Sequence, residues 1–476
     1  MMNLVGREPE KERLKKLLNS NSAEFLAIYG RRRVGKTFLI REYYKNNICF
    51  ELTGIIDTTL QDQLQNFHQI LCKVSRRKLQ EPTSWLEAFQ LLENYLTKLS
   101  KKKKHVIFLD ELPWLASARS KFLPALDHFW NSFLSRHTHL TLIVCGSAAS
   151  WMISNVINSK GGLHNRVTAR MKLQPFNLAE VSTYLKSRKI QLTQYDQLTL
   201  AIAMGGIPHY LKECERGKSV AQIIDNTAFR DSGLLADEFN RLYHSLFENA
   251  DRHVDIVRFL AKHPQGLCRN DISKTYPSGG RLTKTLNELS EAGFITALTP
   301  FAKKTRDTIY KLTDEYSLFY LKWIAPNRTS GKDIFIKKMA SPAWRSWSGY
   351  ALESLALKHI EQIKKALGIS QVETQHCSWI HRANKTHPNG AQIDLLIDRE
   401  DNSINLVEIK FSQAPFTITK SYAVDLRNKI EVFKTTTKTK KNVFFTFLTS
   451  HGLTENQYSK EIVSNSITTE CLFTQL

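Results

Sequence analysis

Three short apolar runs punctuate the first third of the chain, Phe25–Tyr29, Val106–Leu109 and Leu140–Cys145, and each leads at once into a glycine or an acid. Runs of this length, bounded in this way, read as buried strands that each deliver a functional loop. From residue 251 the pattern changes: HVDIVRFLAKH has helical periodicity, GLCRNDISKTY follows, and in GGRLTKTLNELSEAGFI the residues Leu282, Leu286 and Leu289 recur on one face, with Gly293 as a C-cap. Near the C-terminus QIDLLIDREDNSINLVEIK alternates with period two. Ile393, Leu395 and Ile397 share a face opposite Asp394, while Glu408 and Lys410 lie opposite Val407, Ile409 and Phe411. SYAVDLRNKIEVFKTTT then reads as a helix and NVFFTFLT as a further strand.

A length of 476 residues predicts more than one domain. The expected parts are 1–175, a helical segment 176–250, a segment 251–325 in the order of a winged helix, and a C-terminal domain 340–476, with a boundary near APNRTSGKD. No apolar stretch approaches the ~20 residues that span a bilayer, and the N-terminus enters a charged helical pattern directly, so no membrane anchor or signal peptide is expected. Seven cysteines without a CxxC pair fit a reducing compartment, and a cytoplasmic location is expected. The net charge of +22 favours a polyanionic partner, nucleic acid above all, although the KKKK run at 101–104 reads as a solvated loop.

Candidate chemistry begins at GRRRVGKT, residues 30–37, which satisfies G-x-x-x-x-G-K-[ST] after a strand and before a helix. Gly30, Arg33, Val34, Gly35, Lys36, Thr37 and Phe38 are the expected ATP-binding residues. Backbone N–H groups would face phosphate, Lys36 would reach the β and γ phosphates, and Thr37 would ligate Mg²⁺. Asp110 would hold the Mg²⁺ shell and Glu111 would polarise the attacking water. Ser147, at the end of the third run, is expected to contact γ-phosphate or water.

NLVGRE, GRRRVGKT, VIFLDE, CGS, NRVTARMKLQPF and GGIPHYL occur in the order that resembles the archaeal-type ATPases of the AAA+ and STAND-like P-loop group. The resemblance covers about the first half of the chain. It implies an α/β P-loop fold with a helical lid, a charge-compensating arginine at Arg166 or Arg170, and Pro208 near adenine. A homo-oligomer remains possible, since such arginines often act between subunits. In the segment 251–325, Arg281, Lys284, Thr285 and Asn287 are expected on an outer face that could enter a DNA groove, with Lys303, Lys304 and Arg306 on the wing.

A hairpin centred on Asp401 makes Asp398 face Ile404 and Asp394 face Glu408. Opposed carboxylates stand about 5 Å apart and repel by about 3 kcal/mol at an effective dielectric near 20. A Mg²⁺ ion held by Asp394 and Glu408, with Lys410 beside the nucleophile, would offset this and supply an activated water. The spacing of Asp394, Glu408 and Lys410 resembles the PD-(D/E)xK nuclease superfamily, which implies a restriction-endonuclease-like α/β domain and a further acid on a preceding helix, matched by Glu353. The superfamily's proline is absent, with Gln392 and Ile393 before Asp394. The histidines and cysteine of HCSWIHRANKTH match no zinc spacing and read as a polar loop. The expected function is an ATP-hydrolysing, DNA-acting protein with a Mg-dependent nuclease domain; the alternative is a nucleotide-controlled switch that binds DNA or a protein without cutting.

Overall fold

The structure, a computed structural model, describes residues 4–117, 119–158, 163, 165–276, 279–303, 307–327, 333–383 and 390–476. The chain divides into two compact units, Met1–Pro175 and Phe176–Leu476.

In the first unit the expected apolar runs become neighbouring parallel strands. β1 (Glu24–Tyr29), β2 (Ile48–Thr53), β3 (His105–Asp110), β4 (Leu140–Gly146) and β5 (Ala169–Lys172) form one sheet in the order β2-β3-β4-β1-β5. β3 and β4 are buried along their whole length, which is why they read as continuous apolar runs without alternation. One aromatic group, Phe67, Trp85, Phe89, Phe122 and Phe129, packs within this unit's core, with ring centroids of Trp85 and Phe122 4.7 Å apart. The lysine run is not wholly solvated. Lys104 is buried, and its Nζ donates to the carbonyls of Ser20, Ser22 and Thr138 at 2.7, 2.5 and 2.8 Å, so its charge pins two loops to the start of β3.

The second unit opens with a helical segment containing the helices Leu178–Ser187, Gln194–Met204, Pro208–Leu211, Val220–Ala228 and Glu238–His244. Next come the Ala250–Ala261 helix, β6 (Leu267–Cys268), the Arg269–Thr275 and Gly279–Glu291 helices, β7 (Ile295–Leu298) and β8 (Ile309–Leu312), with the strands antiparallel in the order β6-β8-β7. On the Gly279–Glu291 helix Leu282, Leu286 and Leu289 are buried, while Arg281, Lys284 and Asn287 are exposed. Thr285 departs from expectation. It is buried, and its hydroxyl donates back to the carbonyl of Arg281, so the polar face is narrower than the sequence implies. Lys303 is exposed; Lys304 and Arg306 lie outside the described residues.

In the stretch around APNRTSGKD, near which a boundary is expected, residues 328–332 lie outside the described residues. On either side of it Phe319, Trp323, Phe335, Trp344 and Trp347 are mutually packed, and burying these large rings fastens the chain before this stretch to the helices after it. A second sheet then runs β13-β12-β11-β10-β9, made of β9 (Thr374–His381), β10 (Ala391–Arg399), β11 (Ser403–Lys410), β12 (Asn442–Thr449) and β13 (Asn465–Thr468). β9, β10 and β11 are antiparallel, whereas β11, β12 and β13 are parallel. The β10–β11 register runs from Leu395 opposite Val407 to Arg399 opposite Ser403, including Asp398 opposite Ile404. His376 and His381 belong to β9 and not to a loop, because residues 374–381 pair with β10; 384–389 lie outside the described residues. Among the described residues no helix is long and apolar enough to cross a membrane.

Candidate nucleotide site and acid centre

β1 ends at Tyr29 and the chain turns through Gly30 and Gly35, at φ of 141° and 93°, before the Lys36–Tyr43 helix starts. Glycine is required at Gly30 on two counts, since a Cβ there would lie 2.3 Å from the carbonyl oxygen of Leu173 and the backbone conformation disfavours a side chain. Lys36 is buried and folds back over its own loop, donating to the carbonyls of Gly30 and Arg31 at 2.8 and 2.9 Å. The Thr37 hydroxyl donates to Asp110 Oδ2 at 2.8 Å, bringing together the helix start and the end of β3. These two oxygen donors, side by side at the end of a phosphate-type loop, suit a hard divalent cation.

Glu111 follows Asp110 in a left-handed conformation, φ 49°. Its Oε2 accepts from the backbone N–H and the hydroxyl of Ser147, at 3.1 and 2.9 Å. Ser147 is buried and supports Glu111 through both of these bonds. Val34 is buried and Phe38 exposed, and Arg33 adopts φ 71°. Arg166 and Arg170 are both exposed, Arg166 in a turn and Arg170 on β5 opposite Ala27. Pro208 begins a short helix in the second unit, behind Gly205 and Gly206. One residue of the first unit was missed: Arg7, buried, donates from Nη2 to the carbonyl of Val34 at 3.0 Å and so braces the loop from outside. It stands inside NLVGRE, where an arginine next to a glycine gave no signal of its reach.

The C-terminal residues converge within the second unit. Glu353 projects from the Pro342–Lys358 helix, Asp394 from β10, and Glu408 and Lys410 from β11. Asp394 and Glu408 are 6% and 2% exposed. Asp394 Oδ2 accepts from the Ile409 N–H at 3.0 Å, which ties β10 to β11 one residue beyond Glu408. Glu408 is saturated with donors: Lys410 Nζ at 2.9 Å and Tyr422 OH at 2.6 Å on Oε1, and Lys429 Nζ at 2.7 Å on Oε2. Lys311 Nζ, from β8, lies 3.8 Å from Glu353 Oε2 and 5.1 Å from the ring centre of Tyr350.

The electrostatics follow from this arrangement. Burial, then the neighbouring Asp394, pushes Glu353 up to about 8. Burial, then Glu408, pushes Asp394 up to about 6. Burial works against charge on Glu408 too, yet Lys410 and Lys429 outweigh it and hold that carboxyl below its ordinary value. Lys311 is pushed down by burial, against the pull of Glu353 and Asp394.

The chemistry of three carboxylates and a lysine suits a hard cation, but their present partners do not. Both oxygens of Glu408 are already engaged by ammonium and phenol groups, and among the described residues no group of three His, Cys, Asp or Glu side chains is arranged to hold a metal ion. The repulsion expected between Asp394 and Glu408 is relieved here by Lys410 and Lys429, where the sequence alone suggests Mg²⁺. Lys429, Tyr422 and Lys311 were all missed. Tyr422 and Lys429 stand two helical turns apart on the Lys420–Thr437 helix, a spacing that could have been read as one polar face; Lys311, within a short strand, carried no such sign.

A parallel sheet with a glycine-framed loop, a buried lysine and a Thr–Asp pair defines a P-loop ATPase domain. Residues 4–214 match a family described as an ATPase domain predominantly from Archaea. An uncharacterised protein of Methanocaldococcus jannaschii is 25% identical over 432 residues, covering 89% of this chain and 91% of its own. An uncharacterised ATP-binding protein of the same archaeon is 48% identical over 42 residues, 9% of this chain and 71% of its own. Among solved structures, a Walker-type ATPase of Pyrococcus abyssi is similar at 20% identity and a TM-score of 0.48, covering 67% of this chain and 96% of its own. The ORC2 protein of Aeropyrum pernix, in ADPNP and ADP complexes, is similar at 17% identity and a TM-score of 0.42, covering 71% and 96%.

Proposed function

We propose that the protein is a DNA-acting ATPase in which the state of the bound nucleotide governs a C-terminal phosphodiesterase centre of the PD-(D/E)xK type. The observation that carries this reading is the convergence of Glu353, Asp394, Glu408 and Lys410 from one helix and two strands, in a fold with β10 and β11 antiparallel and β12 parallel to β11. In the nucleotide site, Gly30 to Phe38 hold ATP, Lys36 exchanges its carbonyl partners for phosphate oxygens, and Thr37 and Asp110 are the residues that would hold Mg²⁺, which would screen the phosphate charge. Glu111, positioned by Ser147, orients the attacking water. Arg166 or Arg170 compensates charge at the γ-phosphate, in the same copy of a cytoplasmic protein or across a homo-oligomer, and Pro208 lies near adenine. The segment 251–325 is a winged helix whose exposed Arg281, Lys284 and Asn287 meet DNA, as the net charge of +22 favours. In the acid centre Asp394 and Glu408 would hold Mg²⁺ only if Glu408 gave up its present bonds to Lys410, Tyr422 and Lys429; the ion would then supply a more acidic bound water, with Lys410 beside it.

The test is cleavage of branched, single-stranded and duplex DNA with Mg²⁺ or Mn²⁺, with and without ATP, comparing wild type with Asp394→Ala and Lys36→Ala. Cleavage lost in Asp394→Ala and altered in Lys36→Ala supports the proposal. The second reading, a nucleotide-controlled switch that binds DNA or a protein without cutting, is favoured by the pairing of buried Glu408 with two lysines. Intact ATP hydrolysis with no cleavage of any substrate would establish that reading instead.

A further inference from the structure

The Gln194–Met204 helix connects two places that the proposed function names. Its first turn carries Tyr195, whose ring is stacked on Phe411 with centroids 4.5 Å apart and planes 4° from parallel, and on His451 at 5.6 Å and 23°. Phe411 directly follows Lys410, the ammonium 2.9 Å from Glu408 Oε1, and His451 lies just past the end of β12. The carbonyl of Lys410 accepts from the N–H of Ser450 at 3.2 Å, which ties the end of β11 to the end of β12. At its other end the helix stops at Gly205, with φ 66°, and Pro208 opens the next short helix. Between these ends every residue from Gln197 to Met204 is buried. The helix lies against Glu315–Phe319 and against Pro342–Lys358, the helix that carries Glu353.

A helix buried on all sides moves as one piece, because a close-packed interior has no free volume in which part of it could shift alone. Eleven residues make a rod about 16 Å long. Displacing the Gly205–Pro208 corner therefore displaces Tyr195, and the stacked rings couple that movement to the residue beside Lys410. We propose that Tyr195 is a positioning residue for Lys410: the helix carries the movement of the Gly205–Pro208 corner on nucleotide binding to Phe411, and so sets where the Lys410 ammonium stands against Glu408. The inference rests on the reading that the nucleotide governs the acid centre, and it names the route of that control.

The experiment is amide hydrogen exchange of the full chain with and without a non-hydrolysable ATP analogue, read at residues 205–211 and 409–413. In wild type the analogue is expected to change exchange by about threefold or more in both segments. Tyr195→Ala should keep the change at 205–211 and lose it at 409–413, and Phe411→Leu, which removes the other ring of the stack, should do the same. Tyr195→Phe, which keeps the ring, should respond in both segments as wild type does. Tyr195 is half-buried, so truncating it leaves the buried run Gln197–Met204 in place. A response at 409–413 that survives in Tyr195→Ala and Phe411→Leu, or is lost in Tyr195→Phe, overturns the route. So does a wild-type response confined to 205–211; in each case the cleavage test above still decides the phosphodiesterase reading. No response in either segment of wild type, with the analogue shown to be bound, overturns the route and nucleotide control together.

Discussion

His359, at the end of the Pro342–Lys358 helix, provides a pH-dependent fastening that can be measured. Its ring is buried, Nδ1–H donates to the carbonyl of Leu355 at 2.9 Å, and Nε2 accepts from the backbone N–H of Leu178 at 3.2 Å. That N–H is one of the donors a helix leaves unpaired at its start, and Asn177 and Glu180 already occupy the rest of the cap. Protonating Nε2 would set one donor against another beside the positive end of a helix. Burial, chiefly, therefore pushes the imidazole down to about 4. The unfolded chain takes up the proton near its ordinary value, about 6.5, so between these limits the unfolded state binds more protons and stability falls as pH falls. The loss reaches about 2 kcal/mol by about pH 5 and approaches about 3 kcal/mol below pH 4. Urea unfolding followed by tryptophan fluorescence, for wild type and His359→Gln at about pH 7.5 and about pH 5, isolates it, because the glutamine oxygen can accept from Leu178 at either pH and the carboxylates contribute equally to both proteins. Wild type should lose about 2 kcal/mol more than His359→Gln over that interval. The same loss in both proteins would refute the assignment of a neutral imidazole at this contact.

Gly206→Ala would place a Cβ 1.9 Å from the carbonyl oxygen of Phe176, whose N–H donates to Gly206 in turn, so the backbone pair must part. Denaturation should show a loss of about 3 kcal/mol. Glu111→Gln should keep nucleotide binding, measured by fluorescence of a labelled ATP, while phosphate release falls about a hundredfold, because the amide cannot polarise water as the carboxylate does. Lys429→Met leaves buried Glu408 with Lys410 as its remaining ammonium. Urea denaturation near neutral pH should report a loss of about 3 kcal/mol.

The sequence was most legible where local chemistry and burial agree. The strands around Phe25, Val106 and Leu140 are buried on both faces, and continuous apolar runs encode that condition directly. The β10–β11 register was legible because a short polar turn fixes which residues face each other, and alternation then assigns their faces. What could not be read was the identity of distant partners. Lys104, Lys311 and Lys429 look like any exposed lysine in a basic chain, and only tertiary packing brings one onto three carbonyls and the others onto acids. Thr285 shows the same limit on one helix, because a threonine that returns its hydroxyl to the preceding turn can be buried at a position that periodicity assigns to solvent.

Lys36 spans its own loop, held by the carbonyls of Gly30 and Arg31. The ammonium expected to meet phosphate is thus already satisfied by two carbonyls of its own loop. For this lysine, binding of ATP would be an exchange of partners, and its share of the affinity is the difference between phosphate and two carbonyls as partners for one ammonium. Entry of nucleotide should release that ammonium from the loop it holds, making the lysine the part of the cradle that moves most when the site fills.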